Sequence, residues 1–423
     1  MPFADYLEQE WRPALGCTEP ACIAYATALA ASQASGRILG VRLLCDPRMY
    51  KNCFAVGIPH SEHKTGLRWA LAIGALAPDP SAELEIFRQV TPAMVEAAGR
   101  LIASGVIEAE VAPEWTSLHV DCTVRRADGV GRVAIEGDHT RVALLERDGV
   151  AARVDAETGC GETPDWRGEL AGRSFGDLAV LARTATETDR RALRRGAEMN
   201  LAIAQHGLSL LPKRFFDLGD TGVASRAGRL VCAGVYARMW GEDFCVMSLA
   251  GSGNKGITCS VPIWLWGESI GASQERIDEA LALACLVTSA TTHRLGSLSA
   301  VCGCANAAGV GLAAGLVALE GGSPEQISLA VTNMVGNIAG MVCDGAKIGC
   351  AMKTMTSVDA AFRAAFLALS GVGIPETDGI VGADGHASLL NIRRVAVQGM
   401  AAMDAEILGI LRSKMAHGSG GQI

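Results

Sequence analysis

LSAVCGCANAAGVGLAAGLVALE, residues 298–320, is the stretch on which the fold turns. It is apolar for about the length of a membrane span, and such a helix is either inserted in a bilayer or enclosed by other helices. Ala and Gly dominate it in place of Leu, Ile and Phe, and neither an aromatic belt nor a basic flank accompanies it. The stretch therefore reads as a central helix buried by its neighbours, and no membrane partner is expected.

The chain on either side supplies those neighbours. Beyond Phe175, Ala, Leu, Gly and Met recur at helical intervals, broken only by short turns at 251–256 (GSGNKG), 271–275 (GASQE), 321–326 (GGSPEQ) and 371–379 (GVGIPETDG). SPEQ predicts a helix start, with Ser323 as the cap, Pro324 at the first helical position and Gln326 completing a capping box. Upstream the period changes. GRILGVRLLC (36–45) and SLHVDCTVRR (117–126) read as strands, whereas LRWALAIGALA (67–77) and TPAMVEAAGRLIASG (91–105) have helical spacing. Gly, Pro, Thr and acids cluster in DAETGCGETPDWRGE, so a boundary is expected near 170. The fold class is α+β: a mixed N-terminal domain, 1–170, followed by an all-helical domain, 171–423, built around the buried helix.

At 423 residues the chain can bury more than one core. The 45 acidic and 37 basic residues give a net charge of −8, with no run of Lys or Arg to follow a nucleic acid. A small-molecule ligand is the expectation. MPFADYLEQEWRPALG has no uninterrupted apolar segment of the kind a secretory leader carries, which points to the cytoplasm. Thiols are reduced there, so the fourteen cysteines do not read as a disulfide framework. Cys22, Cys45, Cys122, Cys232, Cys245, Cys259 and Cys285 sit among Ala, Val, Leu and Ile and read as small packing residues.

Cys302, Cys343 and Cys350 are different, because SAVCGCANAAG and GMVCDGAKIGCAMKT set them beside glycines. Glycine leaves room for a bulky inorganic group and lets amide N–H groups converge on it. No CxxC pair and no ferredoxin run is present, so spacing alone leaves a metal site and plain packing both open. GSGNKG brings small residues together with Ser252, Asn254 and Lys255, a pattern suited to an anion and also to a helix-joining turn. It is not a P-loop. In GCTEP, Thr18 is the expected cap of a helix. Cys17 then lies at a helix N-terminus, where a thiolate is favoured. Lys51 and Asn52 in YKN are candidate substrate contacts, with Asp344 and Lys353 behind them. His60 and His63 in PHSEHKTG, and His139 in EGDHT, read as loop residues that can contact a ligand or solvent.

Six blocks in one order carry a resemblance over nearly the whole chain: PALGCTEPACIAYA (13–26), YKNCFAVGIP (50–59), GSGNKGIT (251–258), LSAVCG (298–303), GMVCDGAKIGCAMK (340–353) and GIVGAD (379–384). The sequence resembles the L-cysteine desulfidases, which are related to the catalytic α part of iron–sulfur L-serine dehydratases. The resemblance implies a [4Fe-4S] cluster on Cys302, Cys343 and Cys350 with one open iron, and no pyridoxal phosphate. Cys17 would handle the α-proton, and Lys51, Asn52, Ser252, Asn254 and Lys255 would meet a small amino acid. It implies β-elimination, either of sulfide from L-cysteine or of water from L-serine or a related amino acid; a non-catalytic iron–sulfur sensor and a homodimer stay open. Cys304 lies outside the family pattern. Lys255 stands where relatives commonly carry Gln, and Ser297 where they commonly carry Arg, so Lys255 is expected to take over carboxylate binding.

Overall fold

A computed structural model describes residues 2–152, 165–216, 221–296 and 298–416. Part of the expected boundary loop, and Ser297, fall outside these residues. The fold is α+β. Helix α1 (Phe3–Glu10) leads into strand β1 (Trp11–Leu15), and α2 (Thr18–Ser32) follows. Strands β2 (Ile38–Cys45), β3 (Ile107–Val111), β4 (His119–Arg126), β5 (Gly129–Glu136), β6 (Val142–Arg147) and β7 (Val150–Ala151) form one sheet in the order β3-β2-β4-β5-β6-β7. Only β2 and β3 are parallel. The register pairs Val41 with Val124, Leu43 with Cys122 and Cys45 with Val120, and all six are buried. This is the period-two alternation expected of a sheet with one covered face. The cover is α2, with α4 (Leu67–Leu76) packed on it. Helices α3 (Pro47–Asn52) and α5 (Pro92–Ala103) complete this part.

Helices α6 (Trp166–Ala171), α7 (Phe175–Arg183), α8 (Glu187–Leu208) and α9 (Val223–Trp240) precede strand β8 (Cys245–Leu249). After it come α10 (Gly253–Ser269), α11 (Gln274–Leu295), α12 (Gly303–Leu319), α13 (Pro324–Ile338), α14 (Cys350–Leu369), α15 (Gly385–Arg394) and α16 (Met403–Ala416). The region expected to be all-helical thus carries a strand. β8 pairs antiparallel with β1, Trp11 opposite Leu249 and Leu15 opposite Cys245, so a strand of the second half is completed only by the start of the chain. Phe3, Tyr6, Leu7 and Trp11 correspondingly join the apolar cluster of the helical half, while Ala14 and Leu15 belong to that of the sheet. The predicted capping box at Ser323 forms, with both of its hydrogen bonds present.

Helix α12 is the buried central helix, packed by α10, α11, α13 and α14. Its small residues are what allow this. A Cβ at Gly311 would stand 2.0 Å from Thr288 Oγ1 and 2.5 Å from the Ala284 carbonyl, so α11 runs against bare α12 backbone. The helix begins at Gly303 and not at Leu298, because 300–302 leave it to pair with 341–343. Among the described residues, no helix is long and apolar enough to cross a membrane.

Candidate functional site

The pairing that shortens α12 also gathers the cysteines. Val301 and Val342 form an antiparallel bridge, the Cys302 amide donates to Met341 O at 2.8 Å, and the Cys343 amide donates to Ala300 O at 2.7 Å. Asn306 Nδ2 ties the two segments by donating to Cys302 O (3.1 Å) and Met341 O (3.4 Å). Cys350 opens α14, and its thiol faces Gly345 O at 3.7 Å. Gly345 has φ +98°, and a Cβ there would stand 2.4 Å from Lys51 O, so only glycine lets this loop close on α3.

Cys343 and Cys350 lie close enough to Cys302, and Cys304 and Cys343 close enough to Cys350, for charge on one sulfur to be felt at the other, so the four sulfurs form one group. Cys302 and Cys304 share a hydrogen bond that raises Cys302, already pushed up by burial, and lowers Cys304 to about 6, with Lys255 and Ser252 assisting. Cys304 Sγ is 3.4 Å from Ser252 Oγ. Among the described residues no three His, Cys, Asp or Glu converge as the ligands of a single metal ion do. A four-iron cluster asks for something else, one thiolate on each of several irons instead of all ligands about one centre. The donor set fits that group: three thiols on two paired segments and a helix start, bordered by Gly303, Gly345 and Gly349, with the 341–349 loop half-exposed except at Gly345.

A second group meets the thiols from the N-terminal part. Gly16, at φ +75°, turns the chain out of β1, and Cys17, not Thr18, caps α2. Cys17 Sγ donates to Glu19 Oε2 at 2.9 Å, Thr18 Oγ1 donates to the same oxygen at 3.0 Å, and Asn52 Nδ2 donates to Glu19 Oε1 at 3.0 Å. Asn52 Oδ1 in turn faces Cys343 Sγ at 4.0 Å, which connects the Cys17–Glu19 pair to the cysteine loop. The thiolate expected at the helix start is not favoured. Burial pushes the Cys17 thiol up and the Glu19 charge adds to it. Burial also opposes the Glu19 charge, but His139, the Cys17 hydrogen bond and Arg238 together hold that carboxyl below its usual range.

Lys51 has a different role from the one expected of it. Its side chain is 0% exposed and its ammonium donates to Cys343 O (2.7 Å) and Asp404 Oδ1 (2.5 Å) of α16, so it holds the loop and does not face a ligand. Asn254 is also turned away, its Oδ1 accepting from Arg238 Nη1 at 2.9 Å. Lys255 donates to Ala250 O at 3.0 Å and lies against Gly303, and its burial lowers it to about 8. Asp344, pushed up by burial, is nevertheless held at about 2 by Lys347 and Lys353, and Lys353 also donates to Val342 O at 2.8 Å. His60 pairs with Asp243 (3.0 Å) and His63 meets Trp240 O (3.1 Å), so the 60–64 loop docks on the end of α9. Two further residues come into the site: His139, read from sequence as a loop residue open to ligand or solvent, and Arg238, which the sequence did not single out. His139 is buried beside Gly251 and Glu19 with Nε2 unpartnered, and Arg238 is buried with Nε and Nη2 unpartnered. Nothing local marks Arg238, which arrives through tertiary packing.

Fold and site together define a thiol-rich centre at the meeting of an α+β layer and a helical bundle, with an acid–thiol pair facing it. A profile of the family described as serine dehydratase alpha chain matches residues 81–409, and the chain belongs to that family. Arg238, Ser252, Lys255, Cys302, Cys343 and Cys350 lie inside the matched span, whereas Cys17, Glu19, Lys51 and Asn52 precede it. Relatives align over nearly the full length. The UPF0597 protein of Geobacter sulfurreducens is 36% identical, with 97% of this chain and 98% of the relative covered. That of Desulfotalea psychrophila is 35% identical over 97% and 98%, and that of Clostridium tetani 32% over 96% and 97%.

Proposed function

We propose that this chain is a cytoplasmic iron–sulfur lyase that removes the β-substituent of a small L-amino acid, with L-cysteine as its substrate. The supporting observation is the convergence of Cys302, Cys343 and Cys350 on one loop pairing, joined through Asn52 to the Cys17–Glu19 pair. Cys302, Cys343 and Cys350 would hold a [4Fe-4S] cluster. When bound, a cluster with one iron free of protein ligands supplies a Lewis acid for the departing group.

The residues of the chain do the rest. Cys17 and Glu19, joined by the thiol hydrogen bond at 2.9 Å, are placed as a relay in which Glu19 takes the thiol proton only as the sulfur takes the α-proton of the substrate, so that the buried free thiolate is never formed. The C–H electron pair becomes the second bond between Cα and Cβ. The β-substituent leaves with its own bonding pair, as hydrosulfide from cysteine. The 2-aminoacrylate released tautomerises to an imine, and one water hydrolyses it to pyruvate and ammonia. Burial of Cys17, Asn52 and Cys302 keeps water from the reacting carbon.

The family description favours a second substrate, L-serine, from which hydroxide departs and the same products follow. Anaerobic reconstitution with iron and sulfide, followed by assays of pyruvate and sulfide from L-cysteine and L-serine, separates the two. Absence of pyruvate from both substrates, or undiminished iron in all of Cys302→Ala, Cys343→Ala and Cys350→Ala, refutes the proposal.

A further inference from the structure

Arg238 is the largest of the fully buried side chains, 1% exposed, near the end of α9. Its guanidinium uses one nitrogen: Nη1 donates to Asn254 Oδ1, while Nε and Nη2 have no partner. Among the described residues no carboxylate pairs with it. A buried guanidinium with two idle nitrogens is costly unless something answers it. The idle pair is not arbitrary, since Nε–H and one terminal N–H lie parallel along one edge of the planar group, the fork that a carboxylate matches with two oxygens. The start of α10 accommodates the group, as a Cβ on Gly253 would stand 2.5 Å from Nε and 2.7 Å from Cζ.

Glu19 presents the complementary half. Its two oxygens accept three hydrogen bonds, from Cys17, Thr18 and Asn52, which leaves acceptor capacity on the carboxylate. Arg238 and Glu19 both act on the Cys17 thiol, yet they are not joined by an ion pair. A cation near enough to be felt by the Glu19 carboxylate, yet with its Nε/Nη2 edge unbonded and no hydrogen bond between the two, matches a ligand that carries both charges on adjacent groups and sits between them.

We propose that Arg238 and Glu19 cradle an α-amino acid zwitterion, the Nε/Nη2 edge of Arg238 taking the carboxylate and Glu19 the ammonium. This rests on the lyase reading, in which the ligand is an amino acid, and it assigns to Arg238 the carboxylate contact expected of Lys255. A ligand bridging the two charges has its α-carbon beside Cys17.

The test is calorimetric titration of the full-length, anaerobically reconstituted protein with L-alanine, which has no leaving group, with propionate, which has no ammonium, and with 2-aminopropanol, which has no carboxylate. Arg238→Lys is expected to weaken L-alanine and propionate at least tenfold and to leave 2-aminopropanol unchanged. Glu19→Gln is expected to weaken L-alanine and 2-aminopropanol and to spare propionate. L-Alanine binding to Arg238→Lys as tight as to the wild type overturns the cradle, as does equal weakening of all three ligands. Arg238→Met should keep its melting temperature without ligand, because it removes an unanswered buried charge; a lower one marks Arg238 as structural and overturns the assignment. If the binding pattern holds but no amino acid is turned over, the cradle stands and the lyase reading falls. If L-cysteine or L-serine is eliminated with KM unchanged in Arg238→Lys, the lyase stands and the cradle falls.

Discussion

Replacing Asp404 by Ala strands the buried Lys51 ammonium at the back of the cysteine loop. Lys51 is 0% exposed at its side chain, Asp404 12%, and they meet at 2.5 Å. Removing one member of a buried ion pair costs about 3–5 kcal/mol. The lower end applies here, because Lys51 keeps its bond to Cys343 O, and Arg48, the other partner of Asp404, keeps Leu298 O at 2.6 Å. With an unfolding entropy of about 2.1 cal/mol/K per residue, the whole chain has about 0.9 kcal/mol/K, so a loss of about 3 kcal/mol lowers Tm by about 3–4 °C. The double variant Lys51→Met/Asp404→Ala, compared with Asp404→Ala and Lys51→Met alone, removes both charges and should recover most of that loss. The sign with pH is fixed by Asp404. Burial opposes its charge, but Lys51 and Arg48 hold its carboxyl below the usual range. The wild-type advantage is therefore full above the ordinary aspartate pKa of about 3.9 and shrinks as pH falls through the lowered folded value. Differential scanning calorimetry of wild type, both single variants and the double variant from pH 3 to pH 7 measures the cycle. A coupling energy below about 0.5 kcal/mol at pH 7 would show that the pair does not act as a unit and refute the reasoning.

Cys17→Ser retains a donor to Glu19 but exchanges a thiol for a much weaker acid. In stopped-flow and steady-state assays of the reconstituted protein kcat should fall at least about 100-fold, with L-alanine binding retained. Glu19→Gln removes the charge that adds to burial in raising Cys17, so the pH midpoint for alkylation of the Cys17 peptide, followed by mass spectrometry, should move down; an upward move contradicts the pairing. Gly311→Ala drives a methyl into Thr288 Oγ1 and the Ala284 carbonyl, and backbone cannot yield as a side-chain tip can. Urea denaturation should show a loss of about 1–3 kcal/mol, and an unchanged midpoint would mean that α11 and α12 are not in such close contact.

What the sequence disclosed was whatever is decided locally. The strand alternation of 117–126 and the Ser323 capping box each depend on residues a few positions apart, and both appear as expected. The small-residue run was legible as a buried helix because Ala and Gly are what close helix packing requires. Its first five residues were misread, since their departure from the helix is set by a partner at 341–343. Lys51 was misread for the same reason on a longer scale: the carboxylate that claims it is 353 residues away. A lone Lys in a polar tripeptide carries no sign of that.

Arg238 is the sharper case, because a YAR segment inside an amphipathic helix looks like an ordinary solvated charge. Only the packing of α9 beneath Gly253 turns it inward. Residue type and neighbouring glycines are enough to make the cysteines candidates in the sequence, whereas nothing in the sequence marks Arg238, whose part in the proposal comes from its burial. The same distinction bears on Asn254, whose amide is chemically suited to an amino acid but is committed to Arg238 Nη1. Held in this way, Nη1 leaves the Nε/Nη2 edge as the free face of the guanidinium. The GSGNKG turn therefore contributes to ligand recognition by orienting a buried arginine, and its glycine and its asparagine act on the same group, one by making room for it and the other by fixing its plane.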